Sequence, residues 1–208
     1  DLPYLKDSII NLWKLGLKMI MANVVYEDVW ENSDDLIFEN QLKELADYIL
    51  ENHLWNKYSV RFFSPYLGYP VDETSLKTNF CGSGNMLTID PCGNFYPCNR
   101  FLDSALNNCK GRTIGNVFEG IDTDKIRAFN VLDSRIQSNE ECLKCSISNE
   151  CSWCTALNYD ENETIFKRTT YHCKMHKANV RACKYFWNKY EKITGEMSPR
   201  RYNEYTNT

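Results

Sequence analysis

The chain has 208 residues, a length that suits one large domain or two small ones and that is enough to bury a hydrophobic core. Its 24 Lys and Arg residues are nearly balanced by 28 Asp and Glu residues, which argues against a general nucleic-acid binder. We therefore expect no nucleic-acid partner. No apolar run approaches the roughly 18–20 residues of a membrane helix, so we also expect no membrane association and a cytoplasmic location. The first residue is Asp1 and no leader-like segment follows it, which suggests a fragment of a longer protein.

The N-terminal third alternates helical and extended patterns. A helix is predicted from Asp7, and the apolar run 19–25 predicts a strand buried on both faces. A second helix is predicted from Asp34, because apolar residues recur at helical spacing at Phe38, Leu42, Leu45 and Ile49. Residues 58–63 predict another strand. This order indicates parallel strands with crossover helices, so residues 1–66 resemble the end of a larger α/β barrel or open sheet.

Residues 67–80 are rich in Pro, Gly and polar residues and predict a linker. Beyond them, two extended segments flank Pro91-Cys92-Gly93, which predicts a β-hairpin with the glycine at its turn. A short helix is predicted over 122–133 and a closing helix over 171–193. Residues 194–208 are predicted to be a polar tail.

All ten cysteines lie in residues 81–183, and none lies in residues 1–80. A disulfide framework is typical of small secreted domains, whereas the cysteine-free, periodic N-terminal part is typical of an intracellular α/β protein. The distribution therefore favours metal binding over disulfides. Cys81 and Cys98 are expected to meet at the base of the hairpin, about 13–17 Å from Cys92 at its turn, since a strand rises roughly 3.3 Å per residue.

The order of seven cysteines resembles the SPASM domain, which follows the barrel of radical S-adenosylmethionine enzymes that modify peptides. Cys81, eleven residues, Gly93, four residues and Cys98 match the first part of the family pattern. The central part is matched by Cys142, Cys145, Cys151 and Cys154, and the last cysteine by Cys173. One spacing departs from the pattern, because two residues rather than three separate Cys151 from Cys154.

The resemblance implies a fold class of α/β plus cysteine-rich α+β, in which the end of a partial (β/α) barrel precedes a SPASM domain over residues 81–193. It also implies two auxiliary [4Fe–4S] clusters. The first would be held by Cys81, Cys98 and Cys154, and the second by Cys142, Cys145, Cys151 and Cys173. The fourth ligand of the first cluster is either Cys109 or an open site for a substrate thiolate.

The resemblance further implies a peptide maturase that forms thioether crosslinks in a cysteine-containing precursor peptide, with a flavodoxin or ferredoxin as the reductant. Such enzymes use S-adenosylmethionine and a third [4Fe–4S] cluster on a CxxxCxxC motif, which this sequence lacks. We therefore expect the chain to be inactive alone. Asn23 and Glu27, near the end of the first strand, are candidates for contacts with the cofactor, although ordinary strand-end polar residues would look the same.

The alternative from a different functional class is a zinc-stabilised binding module without catalysis. His172 and His176 flank Cys173 four residues apart, so they share a helical face and would complete a zinc site with neighbouring thiols. Exposed histidines without a ligand explain the same spacing. Cys92 and Cys183 are expected to be plain thiols.

Overall fold

The computed structural model describes residues 2–200, and these residues divide into two compact units. The helix-rich unit comprises residues 2–70, 146–151 and 171–200. The cysteine unit comprises residues 71–145 and 152–170. The chain leaves the helix-rich unit after residue 70 and returns to it twice.

In the helix-rich unit, helices α1 (Leu5–Lys14), α2 (Asp34–Glu51) and α8 (Cys173–Thr194) share one hydrophobic core with a two-stranded parallel sheet. Strands β1 (Met19–Ile20) and β2 (Ser59–Val60) pair with Met19 opposite Ser59, which confirms the predicted parallel arrangement. Both strands are much shorter than predicted. Residues 21–26 carry no regular structure, and Arg61–Phe63 form a 3₁₀ helix that turns two phenylalanines into the core.

The core of this unit lies between α2 and α8. The predicted apolar face of α2 is buried at Phe38, Leu42, Leu45 and Ile49. From α8, the Phe186 ring stacks on Phe63 with 4.6 Å between ring centroids. This packing explains why α8, which the sequence analysis assigned to the cysteine-rich domain, groups with the N-terminal residues.

In the cysteine unit, four short strands form an antiparallel sheet in the order β3-β4-β5-β6. The strands are β3 (Thr88–Ile89), β4 (Asn94–Tyr96), β5 (Gly115–Asn116) and β6 (Gly120–Ile121). The predicted hairpin is formed by β3 and β4, with Thr88 opposite Tyr96. Gly93 occupies the turn at φ 85°, a conformation that favours glycine because other residues carry a Cβ.

The helices of this unit are α3 (Glu73–Leu76), α4 (Thr123–Asn130), α5 (Ser134–Gln137), α6 (Glu140–Leu143) and α7 (Thr155–Asn162). Helix α4 lies within the predicted segment 122–133 and buries Phe129. Its N-terminus is capped by the Asp122 carboxylate, which accepts hydrogen bonds from the N–H groups of Asp124 and Lys125.

The predicted linker and tail are both more ordered than expected. The linker contains α3, capped by Asp72. Within the tail, the Arg200 side chain is buried and donates a hydrogen bond to the Leu67 carbonyl at 2.6 Å, and residues 201–208 lie outside the described part. Among residues 2–200, no helix combines the length and apolar character needed to cross a membrane.

Candidate metal centre

Three of the predicted ligands come together in the cysteine unit from distant parts of the chain. Cys98 follows β4 and caps a 3₁₀ helix, Asn99–Phe101. Cys154 caps the N-terminus of α7, and its sulfur accepts the N–H of Leu157 at 3.5 Å. Cys81 opens the turn before β3. Cys98 and Cys154 are 6% and 7% exposed, so two of the three thiols lie in the interior.

Electrostatic interactions link these three sulfurs. Burial is the main reason that the pKa of Cys98 rises to about 11, and the neighbouring Cys81 and Cys154 thiols raise this pKa further. Burial also raises the pKa of Cys154, and Cys81 contributes in the same direction. Because the Cys81 thiol disfavours a negative charge on both Cys98 and Cys154, the three sulfurs lie near one another, and a bound cation would stabilise their thiolates.

Positively polarised groups oppose this repulsion. The N–H groups of Arg100 and Phe101 lower the pKa of Cys98. The Arg100 guanidinium and the N–H groups of Leu157 and Ala156 lower the pKa of Cys154. Thiolates are the form that binds metals, and both cysteines lie where a helical turn directs its N–H groups at the sulfur.

The spacing of the thiols bears on the kind of metal. Across residues 2–200, no group of three or more His, Cys, Asp or Glu side chains is drawn together as a single metal ion would require. Sulfurs around one tetrahedral zinc, with Zn–S bonds of about 2.3 Å, lie about 3.8 Å apart. The mutual electrostatic effects of Cys81, Cys98 and Cys154 show that these thiols are neighbours, and a four-iron cluster would bind each thiolate at a different iron.

The turn that follows Cys81 is held against the end of β4. The Gly84 N–H donates to the Pro97 carbonyl at 3.2 Å, one residue before Cys98. The Asn79 side-chain amide donates to the Ser83 carbonyl at 2.9 Å. Gly84 has φ 92°, and a Cβ there would lie 2.5 Å from the Phe129 Cβ. Only glycine therefore lets the turn pack this closely against α4. These contacts keep Cys81 beside Cys98.

Cys109 occupies a different place in the cysteine unit. Its thiol lies 3.4 Å from the Tyr159 carbonyl and 3.8 Å from the Asp160 carbonyl, near the C-terminal end of α7. Burial, then Asp160 and Glu163, raise its pKa. Since a helix rises 1.5 Å per residue, the Tyr159 and Asp160 carbonyls lie roughly 8–9 Å along α7 from Cys154. Whether Cys109 or an open position completes the first cluster stays a prediction.

The loop that carries Cys109 is fixed by a buried carboxylate. The Asp160 carboxylate accepts hydrogen bonds from the N–H groups of Asn107, Asn108 and Cys109, at 2.8–3.1 Å. These three donors and Arg100 lower the pKa of Asp160 against the opposing effect of burial. The sequence analysis missed Asp160, because no local pattern links it to a loop some fifty residues earlier.

The second predicted ligand set takes two cysteines from each unit. In the cysteine unit, Cys142 lies in α6 and its carbonyl accepts the N–H of Cys145 at 3.3 Å. In the helix-rich unit, Cys173 begins α8, and the Cys151 sulfur lies 3.8 Å from the His172 Nε2. The assignment of these four residues to one cluster stays a prediction.

The histidines of the zinc alternative are not exposed. His172 and His176 are both buried, and the His172 ring packs edge-on against Tyr26. His176 Nε2 lies 2.6 Å from the Ile147 carbonyl, so this nitrogen is engaged by the backbone. The expectation that the two histidines lie on the surface is therefore wrong, because α8 turns this face into the helix-rich unit.

The remaining predicted residues fall into two groups. Cys92 is exposed in the hairpin turn, whereas Cys183 is fully buried, with its thiol donating to the Ser64 carbonyl at 3.3 Å. Asn23 and Glu27 lie beyond β1 rather than in a strand, and the Asn23 side chain accepts a hydrogen bond from Arg61. None of the ten cysteines, all within the described part, forms a disulfide.

No family model matches the chain. The chain is 30% identical over 145 residues to a cysteine-type anaerobic sulfatase-maturating enzyme of Clostridium perfringens. The match covers 65% of this chain and 36% of the relative, so the chain spans little more than a third of that enzyme's length. The relative is an enzyme named for the maturation of another protein.

Proposed function

We propose that the chain is the C-terminal part of a radical S-adenosylmethionine maturase, with a SPASM domain that binds two auxiliary [4Fe–4S] clusters. The observation that carries this proposal is the convergence of Cys81, Cys98 and Cys154. The family resemblance assigns these three residues to one cluster, although 17 and 56 positions separate them along the chain. The similarity to a sulfatase-maturating enzyme supports a maturase.

The protein's own groups would prepare the first cluster site. Main-chain N–H groups at the start of two helical segments and the Arg100 guanidinium act on the sulfurs of Cys98 and Cys154, so they offset the negative charge of these two thiolates. The burial of Cys98 and Cys154 keeps water from these sulfurs, and burial with hydrogen bonding sets the potential of such a cluster. The second cluster would be held by Cys142, Cys145, Cys151 and Cys173.

The proposed reaction is thioether crosslinking of a cysteine-containing precursor peptide in the cytoplasm. When bound, an auxiliary cluster would accept the electron left over from carbon–sulfur bond formation or hold the substrate thiolate. The position of Cys109 beside the Tyr159 carbonyl supports an open iron on the first cluster, which a substrate thiolate would fill. S-adenosylmethionine, with Asn23 and Glu27 as candidate contacts, and a flavodoxin or ferredoxin complete the proposed system.

The iron content of two cysteine variants tests the proposal. The full-length protein is purified anaerobically as wild type, as Cys98→Ala and as Cys92→Ala. Cys98→Ala should lose about four irons per chain, since a cubane needs its thiolate ligands. Cys92→Ala, which removes an exposed thiol from the hairpin turn, should keep the wild-type content. Equal iron content in both variants would contradict the proposal, as would a colourless protein with stoichiometric zinc.

A further inference from the structure

Ser83 is a buried residue whose hydroxyl has no hydrogen-bond partner among the residues that the structure describes. The residue is 1% exposed, so bulk solvent does not reach the hydroxyl. A buried hydroxyl without a partner destabilises a folded protein, and such groups in native proteins usually serve a bound water, ion or cofactor. The position of Ser83 indicates which of these the hydroxyl serves.

Ser83 lies in the turn between two of the convergent cysteines. It follows Cys81 by two residues, and the next residue, Gly84, is hydrogen-bonded to the carbonyl that precedes Cys98. The Ser83 carbonyl is held by the Asn79 amide, so both sides of the residue are anchored. The Ser83 backbone is therefore held in the interior, two residues after Cys81 and beside the residue that precedes Cys98.

We propose that the Ser83 hydroxyl donates a hydrogen bond to a sulfur of the iron–sulfur cluster held by Cys81, Cys98 and Cys154, and that it thereby raises the reduction potential of that cluster. This inference rests on the proposed function. A serine hydroxyl has one proton to donate. The sulfides of a cluster and the thiolates that bind it accept hydrogen bonds, and the metal-free protein has no sulfides and keeps its cysteines as thiols. Reduction adds negative charge to the sulfurs, so the donated hydrogen bond is stronger in the reduced state.

A redox titration of the Ser83→Ala variant tests this role. The full-length protein is purified anaerobically, and the midpoint potential of each cluster is followed by electron paramagnetic resonance. Ser134→Ala is the matched control, because Ser134 is a buried serine of the same unit whose hydroxyl already donates to the Thr78 carbonyl at 2.9 Å. Thermal unfolding of the metal-free forms provides a second measurement.

The proposal predicts that Ser83→Ala keeps the wild-type iron content and shifts one midpoint to a more negative potential. A tenfold loss of preference for the reduced state corresponds to about 59 mV for a one-electron couple. Ser134→Ala should leave all midpoints unchanged. Metal-free Ser83→Ala should unfold at or above the wild-type temperature, because the variant removes a buried polar group that lacks a partner.

Unchanged midpoints in Ser83→Ala at full iron content would overturn the inference while leaving the proposed function standing. Loss of about four irons would also overturn it, since Ser83 would then be a ligand rather than a donor. A lower unfolding temperature of the metal-free variant would show that the hydroxyl already has a partner. Absence of iron and sulfide from the wild type would overturn the proposed function itself.

Discussion

Replacement of Asp160 by asparagine should release the loop that carries Cys109. The Asp160 side chain is buried and accepts hydrogen bonds from three consecutive backbone N–H groups. Hydrogen bonds to a charged acceptor contribute roughly 1.5–3 kcal/mol each and neutral ones about 1 kcal/mol, and asparagine keeps only one accepting oxygen. We therefore expect the loop to lose about 3 kcal/mol of stability relative to its open form.

The alkylation rate of Cys109 in the metal-free protein measures this opening. A loss of about 3 kcal/mol corresponds to a roughly 100-fold larger open population, because each 1.4 kcal/mol is a factor of ten. Glu163→Gln is the control, since Glu163 also raises the pKa of Cys109 but accepts no hydrogen bond from residues 107–109. Its effect should be several-fold at most. Equal rates in Asp160→Asn and Glu163→Gln would refute this account of the loop.

The difference in loop stability between wild type and Asp160→Asn should depend on pH in a definite direction. The folded-state pKa of Asp160 is lowered, so its stabilising effect is present above the unfolded pKa of about 4 and is lost as the pH falls through the folded pKa. Asparagine does not titrate. The difference in Cys109 alkylation between wild type and Asp160→Asn, corrected for the thiolate fraction, should therefore shrink below about pH 4.

Three further predictions address ligation, alkaline stability and the core. Cys109→Ala should keep the wild-type iron content, whereas Cys154→Ala should lose about four irons; a loss in both would make Cys109 a ligand. Burial raises the pKa of Cys183 to about 12, so this thiol stays neutral when folded, and its contribution to stability is lost as the pH rises above about 9. Between pH 9 and 10.5, the wild type should lose about 2 kcal/mol more unfolding free energy than Cys183→Ala in urea titrations, and parallel pH profiles would contradict this. Phe38→Ala should cost about 3–5 kcal/mol by the same assay, against little for the exposed Leu36→Ala, and a similar small cost for both would contradict the packing of α2.

Strong periodicity made the helices of the N-terminal part predictable. Apolar residues at spacings of four, three and four placed α2 and its buried face correctly, because that face packs along its whole length. Strand lengths were not predictable from residue type alone. The apolar run 19–25 has the composition of a buried strand, but among residues 2–200 β1 pairs with β2 alone and at residues 19–20 alone, and Met21 and Val25 are exposed.

The candidate site was predictable where spacing fixes geometry. The hairpin signal at Pro91-Cys92-Gly93 set Cys98 at the base of two paired strands, as observed. Ser83, Arg100 and Asp160 were not foreseen. Their roles depend on contacts made across the fold, and the sequence around them, such as the serine between two glycines after Cys81, suggests only a turn.

Determination of iron, acid-labile sulfide and zinc in the anaerobically purified full-length protein tests the central claim most directly. Two auxiliary clusters together require about eight irons and eight sulfides per chain, in addition to any cluster bound elsewhere in the protein. The account predicts iron and sulfide in equal amounts at or above this level, with a broad visible absorption band. Stoichiometric zinc without sulfide, or neither metal, would contradict it.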